Sequence, residues 1–285
     1  MRRRFFVSHF DFPTARLTGD SAHHLARVLR ASPGQLYELS DGSSLWVARI
    51  DRASKSTIDF SLVEQLPVTP DPLHLTLLLS IVKFDRFEWA LEKATELGVA
   101  EIVPLAAARS ERALISAAGK RAARWHKMLL ESAQQSRRLR PPLLHPAARA
   151  FDVLSDVGAR HGVPSSGTAV PSAAAHDRMP SSSPTVRLLL SERPSASTFR
   201  TVLDSVILKP SDEDARRTST SNPPPTVSTA TSALLAIGPE GGWTDDEFSA
   251  ALSSGFREVS LGPFILRTET AVIAALSSLR FALSP

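Results

Sequence analysis

The chain has 285 residues, enough for two domains, and 42% of them are hydrophobic, ample for packed cores. It holds 33 Lys and Arg against 29 Asp and Glu; the resulting charge of +4 says something about partners only where basic residues cluster. It has no cysteine, which excludes a disulfide framework, a thiolate metal site and a cysteine nucleophile.

The chain begins Met1-Arg2-Arg3-Arg4-Phe5-Phe6-Val7-Ser8, basic and then interrupted before an apolar signal core can form. No stretch reaches the roughly 18 apolar residues needed to span a bilayer, so a cytoplasmic protein without a membrane segment is expected. A short helix over 20–29 follows, with Asp20 as its N-cap and Pro33-Gly34 beyond its end. Alternating segments at 35–40, 45–51 and 56–63, separated by turns such as Asp41-Gly42, predict strands. Pro67, Pro70 and Pro72 then give 66–72 the composition of a linker. The expected domains are 1–70 and 73–285.

The apolar run 73–82 predicts a strand buried on both faces. Asp85 with Glu88 three residues on predicts a capping box. Phe87, Leu91, Ala94 and Leu97 recur at helical spacing, and Gly98 stands where a C-terminal cap belongs. Next come a strand over 99–105, a long helix over 119–137, a strand over 186–190, a helix over 197–203 and a strand over 233–237. A helix over 244–254, boxed by Thr244 and Glu247 and stopped by Gly255, leads to a strand over 256–261 and a last helix over 268–282. Such alternation predicts an α/β domain with a mostly parallel sheet covered on both faces. Segments 163–184 and 210–232, rich in Ser, Pro, Ala and Thr, have no apolar period and read as flexible insertions.

Two segments carry candidate chemistry. In Ile237-Gly238-Pro239-Glu240-Gly241-Gly242-Trp243-Thr244, a strand enters a glycine-rich turn and then a well-capped helix. Its spacing is neither G-x-G-x-x-G nor a P-loop, and Glu240 would repel a phosphate, so a tight turn and a ligand loop both stay open. In Leu261-Gly262-Pro263-Phe264-Ile265-Leu266-Arg267-Thr268-Glu269-Thr270, another strand passes through Gly-Pro into a helix, with Thr268 as a possible cap and Arg267 just before it. Basic residues cluster as well. Lys120, Arg121, Arg124, Lys127, Arg137, Arg138 and Arg140 face one acid, Glu131, and 120, 124 and 127 share a helical face. Phosphate contact is expected there, against the alternative of a solvated face. Arg2, Arg3, Arg4, Arg27 and Arg30 form a second basic set. His23 and His24 adjoin but lack a third ligand at useful spacing, so no metal is expected.

Taken together, the two glycine segments resemble the paired signatures of the bacterial 16S ribosomal RNA uridine N3-methyltransferases of the SPOUT class. Lys83, Glu92-Lys93-Ala94-Thr95-Glu96-Leu97-Gly98-Val99, Ile102, Pro104 and Arg109-Ser110-Glu111-Arg112 extend the resemblance, as do His24, Val28-Leu29-Arg30 and Gly34. Gln134-Gln135-Ser136 departs from the family's usual Glu-Gln. The resemblance implies an N-terminal PUA-like RNA-binding β-barrel followed by an α/β trefoil-knot methyltransferase domain. It also implies S-adenosyl-L-methionine held by three turns: Leu190, Ser191 and Glu192; Ile237, Gly238, Pro239, Glu240, Gly241 and Gly242; and Leu261, Gly262, Leu266 and Thr268. Arg267 and Glu269 are the implied catalytic residues. Arg3, Arg4, Arg27, Arg30, Arg109, Arg121, Arg124, Lys127, Arg137 and Arg138 are the candidate RNA contacts. The expected reaction is methylation of N3 of uridine 1498 in 16S ribosomal RNA of the small subunit. The alternatives are another RNA target, such as a ribose 2′-hydroxyl, and a non-catalytic RNA-binding ribosome factor. A homodimer is also implied, with Val272, Ile273, Leu276 and Leu279 of the last helix partly exposed to the partner.

Overall fold

A computed structural model describes residues 2–156, 185–207 and 232–283. The expected insertions lie outside them, apart from Ser232, which opens a strand. The chain forms two compact units. The first is Met1–Asp71 with His126–Pro142, and the second is Pro72–Trp125 with Leu143–Pro285.

The first unit is a six-stranded sheet in the order β1-β4-β5-β6-β3-β2. Its strands are β1 (Arg4–Phe6), β2 (Phe10–Asp11), β3 (Thr14–Thr18), β4 (Leu36–Ser40), β5 (Leu45–Ala53) and β6 (Thr57–Leu66). All neighbours run antiparallel except β1 and β4. Leu17, Leu39, Ile50, Ile58 and Phe60 fill the core. The strands β1 and β2 are too short to show an alternation in the sequence; β3 does alternate, with Ala15 and Leu17 buried, and none of the three is among the expected strands. The helix α1 (Gly19–His23) widens into a π-turn at His24–Val28 that places Leu25 in the same core.

Segment 126–142, expected in the second domain, belongs to this first unit. The reason is polar. The Ser40 hydroxyl donates to the Leu139 carbonyl at 2.6 Å, Arg4 donates to the Arg137 carbonyl, and Arg137 donates to the Arg2 carbonyl at 2.7 Å. The first two bonds satisfy carbonyls just past the end of the long helix α3 (Arg112–Gln135), and the third ties Arg137 to the N-terminal segment. The helix ends with Arg138 N–H bonding the Ala133 carbonyl and Arg137 at φ +57, a left-handed stop that glycine usually fills. α3 starts at Arg112 rather than near Gly119, because an isolated glycine is tolerated inside a long helix.

The second unit holds an eight-stranded sheet, order β10-β8-β7-β13-β11-β14-β12, with β9 also pairing β8, and every pairing is parallel. The central strands are β7 (His74–Ser80), β8 (Glu101–Ala106), β11 (Thr185–Leu190), β13 (Ser232–Ile237) and β14 (Arg257–Ser260); β9 (Leu143–Leu144), β10 (Ala148–Arg149) and β12 (Ser197–Thr198) are short. Successive residues Leu77, Leu78 and Leu79 of β7 are all buried, which requires cover on both faces. α4 (Ala150–Asp156) and α6 (Asp245–Ser253) pack together over Leu78, Leu189 and Ala236. α7 (Thr268–Leu283) packs against α2 (Phe84–Glu96) and α5 (Phe199–Ile207).

Two details differ from expectation. Lys83, not Asp85, is the N-cap of α2, and no side chain caps it. Glu88 is instead buried and receives Arg121 and Arg124, each at 3.0 Å. Burial pushes its carboxyl up, but the bonds from Arg124 and then Arg121 more than offset this and hold it below the usual range. On α7, Val272, Leu276 and Leu279 are each 0% exposed within this chain, so they cannot face a partner. Ile273 is half-buried, and Phe281 is exposed.

Candidate functional site

β13, β11 and β14 are adjacent and parallel, so the segments leaving their C-terminal ends come together at one edge of the sheet. Such edges of α/β sheets are where ligands usually sit. A cavity of about 700 Å³ lies there, within the second unit. The cofactor candidates Leu190, Ser191, Glu192, Ile237, Gly238, Pro239, Glu240, Gly242, Leu261, Gly262, Leu266 and Thr268 all line it. Gly241 does not, although its neighbours on both sides do.

Local chemistry shapes each wall. In the glycine turn, Gly242 N–H bonds the Pro239 carbonyl at 2.8 Å, with Gly242 at φ +71, where a side chain would be strained. A Cβ on Gly238 would meet the Trp243 ring at 3.1 Å, and one on Gly241 would meet Arg109 Cβ at 3.2 Å. Tight packing therefore favours glycine at 238 and 241, and the dihedral angle favours it at 242. Trp243 Nε1 donates to the Leu190 carbonyl at 3.0 Å, joining this turn to the end of β11. The expected capping box of α6 is present. Thr244 N–H donates to Glu247 at 3.0 Å, and Glu247 N–H donates to the Thr244 hydroxyl at 3.3 Å. The other Glu247 oxygen accepts the Ala108 amide at 2.8 Å, which ties the loop after β8 to the same helix.

Charged groups ring the cavity in pairs. Arg193 bonds Asp245 at 2.6 Å and lies over the Phe248 ring, 3.8 Å from its centroid. Arg109 donates to the Gly241 carbonyl at 2.9 Å, so this RNA candidate supports the glycine turn. Arg86 donates to Glu240, and its Nε lies 3.9 Å from Glu269. Sequence reasoning missed Arg86, since nothing at its position in α2 marks it as near the later loops. Arg267 is exposed at the cavity and has no ion-pair partner among the described residues. One oxygen of Glu269 is buried without a hydrogen-bond partner among them. Phe264 and Ile265, in the same loop, are each 81% exposed.

The remaining basic candidates divide. Arg4 is committed to Glu38 at 2.9 Å and is nearly buried, so it is a structural residue rather than an open cation. Arg121 and Arg124 neutralise Glu88, which leaves them partly exposed but not free. Lys127 lies 3.9 Å from Asp20, and Arg137 the same distance from Glu38. Arg3, Arg27 and Arg30 belong to the first unit, as does Arg138. Among the described residues no group of three or more His, Asp or Glu could hold a metal ion, and no helix is long and apolar enough to cross a membrane.

Comparison with known proteins bears on what this cavity takes. The family described as an RNA methyltransferase domain matches residues 69–174 and 183–280, and an RNA methyltransferase PUA domain matches 17–63. The ribosomal RNA small subunit methyltransferase E of Synechocystis is 30% identical over 93% of this chain and 72% of its own length. That of Bacillus subtilis is 27% identical over 95% of this chain and 91% of its own. A ribosomal RNA small subunit methyltransferase E from Neisseria gonorrhoeae, solved bound to S-adenosyl methionine, superposes with a TM-score of 0.71 at 27% identity, covering 99% of this chain and 98% of the other. A methyltransferase of Legionella pneumophila, solved with the same cofactor, superposes with a TM-score of 0.72 at 25% identity, with 99% and 98% covered.

Proposed function

Because the chain belongs to the RNA methyltransferase family, and within it to the ribosomal RNA small subunit methyltransferase E proteins, we propose that it methylates N3 of uridine 1498 in 16S ribosomal RNA using S-adenosyl-L-methionine. The observation that carries this reading is the single cavity into which the ends of β11, β13 and β14 open.

The cavity suits the cofactor. Its size is that of a pocket for a nucleoside-bearing ligand. Ile237, Leu261 and Leu266 supply apolar surface for an adenine, and the glycine turn brings backbone close to the cavity wall. When bound, the cofactor supplies an activated methyl on its sulfonium. The chain must then orient the uracil and favour loss of its N3 proton. Negative charge spreads onto the two flanking carbonyl oxygens as that proton leaves. A cation aimed at them stabilises it, and Arg267 is the open cation of the site. Glu269, in the first turn of α7 next to the lining residues Arg267 and Thr268, is the candidate acceptor for the proton, although it does not itself line the cavity.

The substrate is held through Arg3, Arg27, Arg30, Lys127 and Arg138 of the PUA-containing unit, and a ribosomal substrate places the enzyme in the cytoplasm. The family resemblance and the exposed Phe264 and Ile265 support a homodimer. Small subunits from a strain lacking the enzyme, incubated with the protein and labelled cofactor, test the reading by nucleoside mass analysis. N3-methyluridine is expected. Ribose methylation would move the reading to the other target chemistry, and absence of cofactor binding in calorimetry would overturn it.

A further inference from the structure

A second cavity, of about 480 Å³, lies in the first unit and is lined by Arg2, Arg3, Leu29, Gln35, Leu36 and Tyr37. That volume is within the range of pockets for small ligands. Its cations are held in place and uncommitted. Glu38 N–H donates to the Arg3 carbonyl at 3.0 Å, and Arg137 donates to the Arg2 carbonyl at 2.7 Å, which fixes the backbone beneath both guanidiniums. Both arginines are exposed, and neither makes an ion pair among the described residues. The polar edge has a definite sense. Gln35 Oε1 accepts the Ser32 amide at 3.1 Å and the Tyr37 hydroxyl at 3.2 Å. A backbone amide can only donate, so these bonds settle which end of the Gln35 side chain is oxygen. Burial raises the Tyr37 phenol above its ordinary value and Arg3 only partly offsets this, so the hydroxyl keeps its proton at neutral pH. Gln35 Nε2 is left as a donor, and the Tyr37 oxygen, its hydrogen engaged, as a neighbouring acceptor.

We propose that this cavity holds one unpaired keto base of the RNA substrate, with Gln35 and Tyr37 reading its edge, Leu29 and Leu36 against its face, and Arg2 and Arg3 on its phosphates. RNA as the occupant rests on the methyltransferase reading above. A donor beside an acceptor matches the C=O and N–H that uracil and guanine present side by side on an unpaired edge. Cytosine shows the reverse pattern there, an amino group beside a bare ring nitrogen. An acidic peptide would suit the two cations, but a trans peptide bond points its N–H and C=O in opposite directions and cannot meet both groups.

The test is fluorescence anisotropy on the full chain with labelled single strands of equal length: oligouridylate, oligocytidylate and an abasic strand. Wild type is expected to bind oligouridylate on the order of tenfold more tightly than the other two. Gln35→Glu turns the donor into an acceptor, so the ratio of uridylate to cytidylate affinity falls to one or below, whatever its charge does to both strands. Arg2→Gln with Arg3→Gln weakens all three strands and lowers the salt dependence by about one released counterion per arginine. Melting temperatures are read alongside. Equal binding of the three strands by wild type, or a Q35E ratio that stays at the wild-type value, overturns the inference. So does displacement of oligouridylate by an acidic peptide at equal concentration, which would make the occupant a protein segment. Should Q35E fail to fold, Y37F decides by the same ratio: its loss supports the pocket, and a wild-type ratio refutes it. Cofactor calorimetry on the same samples separates the two readings. Wild type that binds no cofactor overturns the methyltransferase reading, whereas cofactor-binding wild type without the uridylate preference overturns the nucleotide pocket alone.

Discussion

Trp243 is 6% exposed, and its indole N–H spans from the glycine turn to the Leu190 carbonyl at the end of β11. Replacing it with Phe keeps most of the ring but leaves that carbonyl without its donor, a loss of about 1 kcal/mol. Trp243→Phe should lower the melting temperature by a few degrees and weaken cofactor binding severalfold, read by calorimetry. Arg267 is placed differently. It is exposed and makes no ion pair within the described chain, so its removal should spare folding. Arg267→Ala is expected to reduce methyl transfer on the order of 100-fold while the cofactor dissociation constant changes little. Equal losses in both would make it a cofactor residue. The motif around Arg267 was legible in sequence, as were the glycines. Arg86 was not, because its role depends on partners that lie more than a hundred residues later in the chain.

At the scale of elements, α2 shows how far local signals reach. Its C-terminus follows the expected pattern, with Gly98 at φ +82. The carbonyls of Leu97 and Gly98 are nevertheless satisfied from α7, by Arg280 at 2.9 and 2.7 Å. Arg280→Ala strands both carbonyls and should cost roughly 1–3 kcal/mol in a denaturant titration. Gly98→Ala should cost at least as much, since it strains the backbone and presses on that guanidinium. A second cluster ties the starting edges of β7 and β8 to the segment after β9. Glu101 accepts His145 at 2.7 Å and His74 at 3.0 Å. These bonds, His145 first, hold its carboxyl far below the usual range despite burial. A depressed carboxyl contributes stability above its unfolded pKa, near 4.3, and loses it as the pH falls further toward the folded value. Wild type should therefore lose stability on acidification below about pH 4, and Glu101→Gln should be less stable at neutral pH with a flatter acid limb. Identical acid limbs would remove Glu101 from the account.

The first unit is built from two stretches of chain, and its second stretch supplies bonds that the first needs. A fragment ending at Asp71 would expose the Ser40 hydroxyl and free Arg4 from the Arg137 carbonyl. Such a fragment is expected to melt well below the intact protein in circular dichroism. Equal stability would show that 126–142 only decorates the sheet. For the assembly, light scattering at micromolar concentration should give twice the mass of one chain. The surface to test is Phe264 and Ile265, not the buried Val272, Leu276 and Leu279.

The order of the longer elements, the α/β class, the parallel sheet and the two glycine-rich segments were set by features that act over a few residues, whereas β1 to β3, β9, β10 and α4 were not. Apolar runs, capping pairs and glycines restrict the backbone locally, whatever surrounds them. Thr244 and Glu247 are such a pair, and they behave as their spacing demands. The partner of a charged side chain is another matter, because it depends on which strands become neighbours. Only the tertiary structure turned Glu88 from a helix cap into the anchor of Arg121 and Arg124. Likewise, only it withdrew Arg4 from the basic surface and carried 126–142 into the first unit. The cofactor candidates share a wall because β13, β11 and β14 lie side by side, an order fixed by packing across the sheet rather than along the chain.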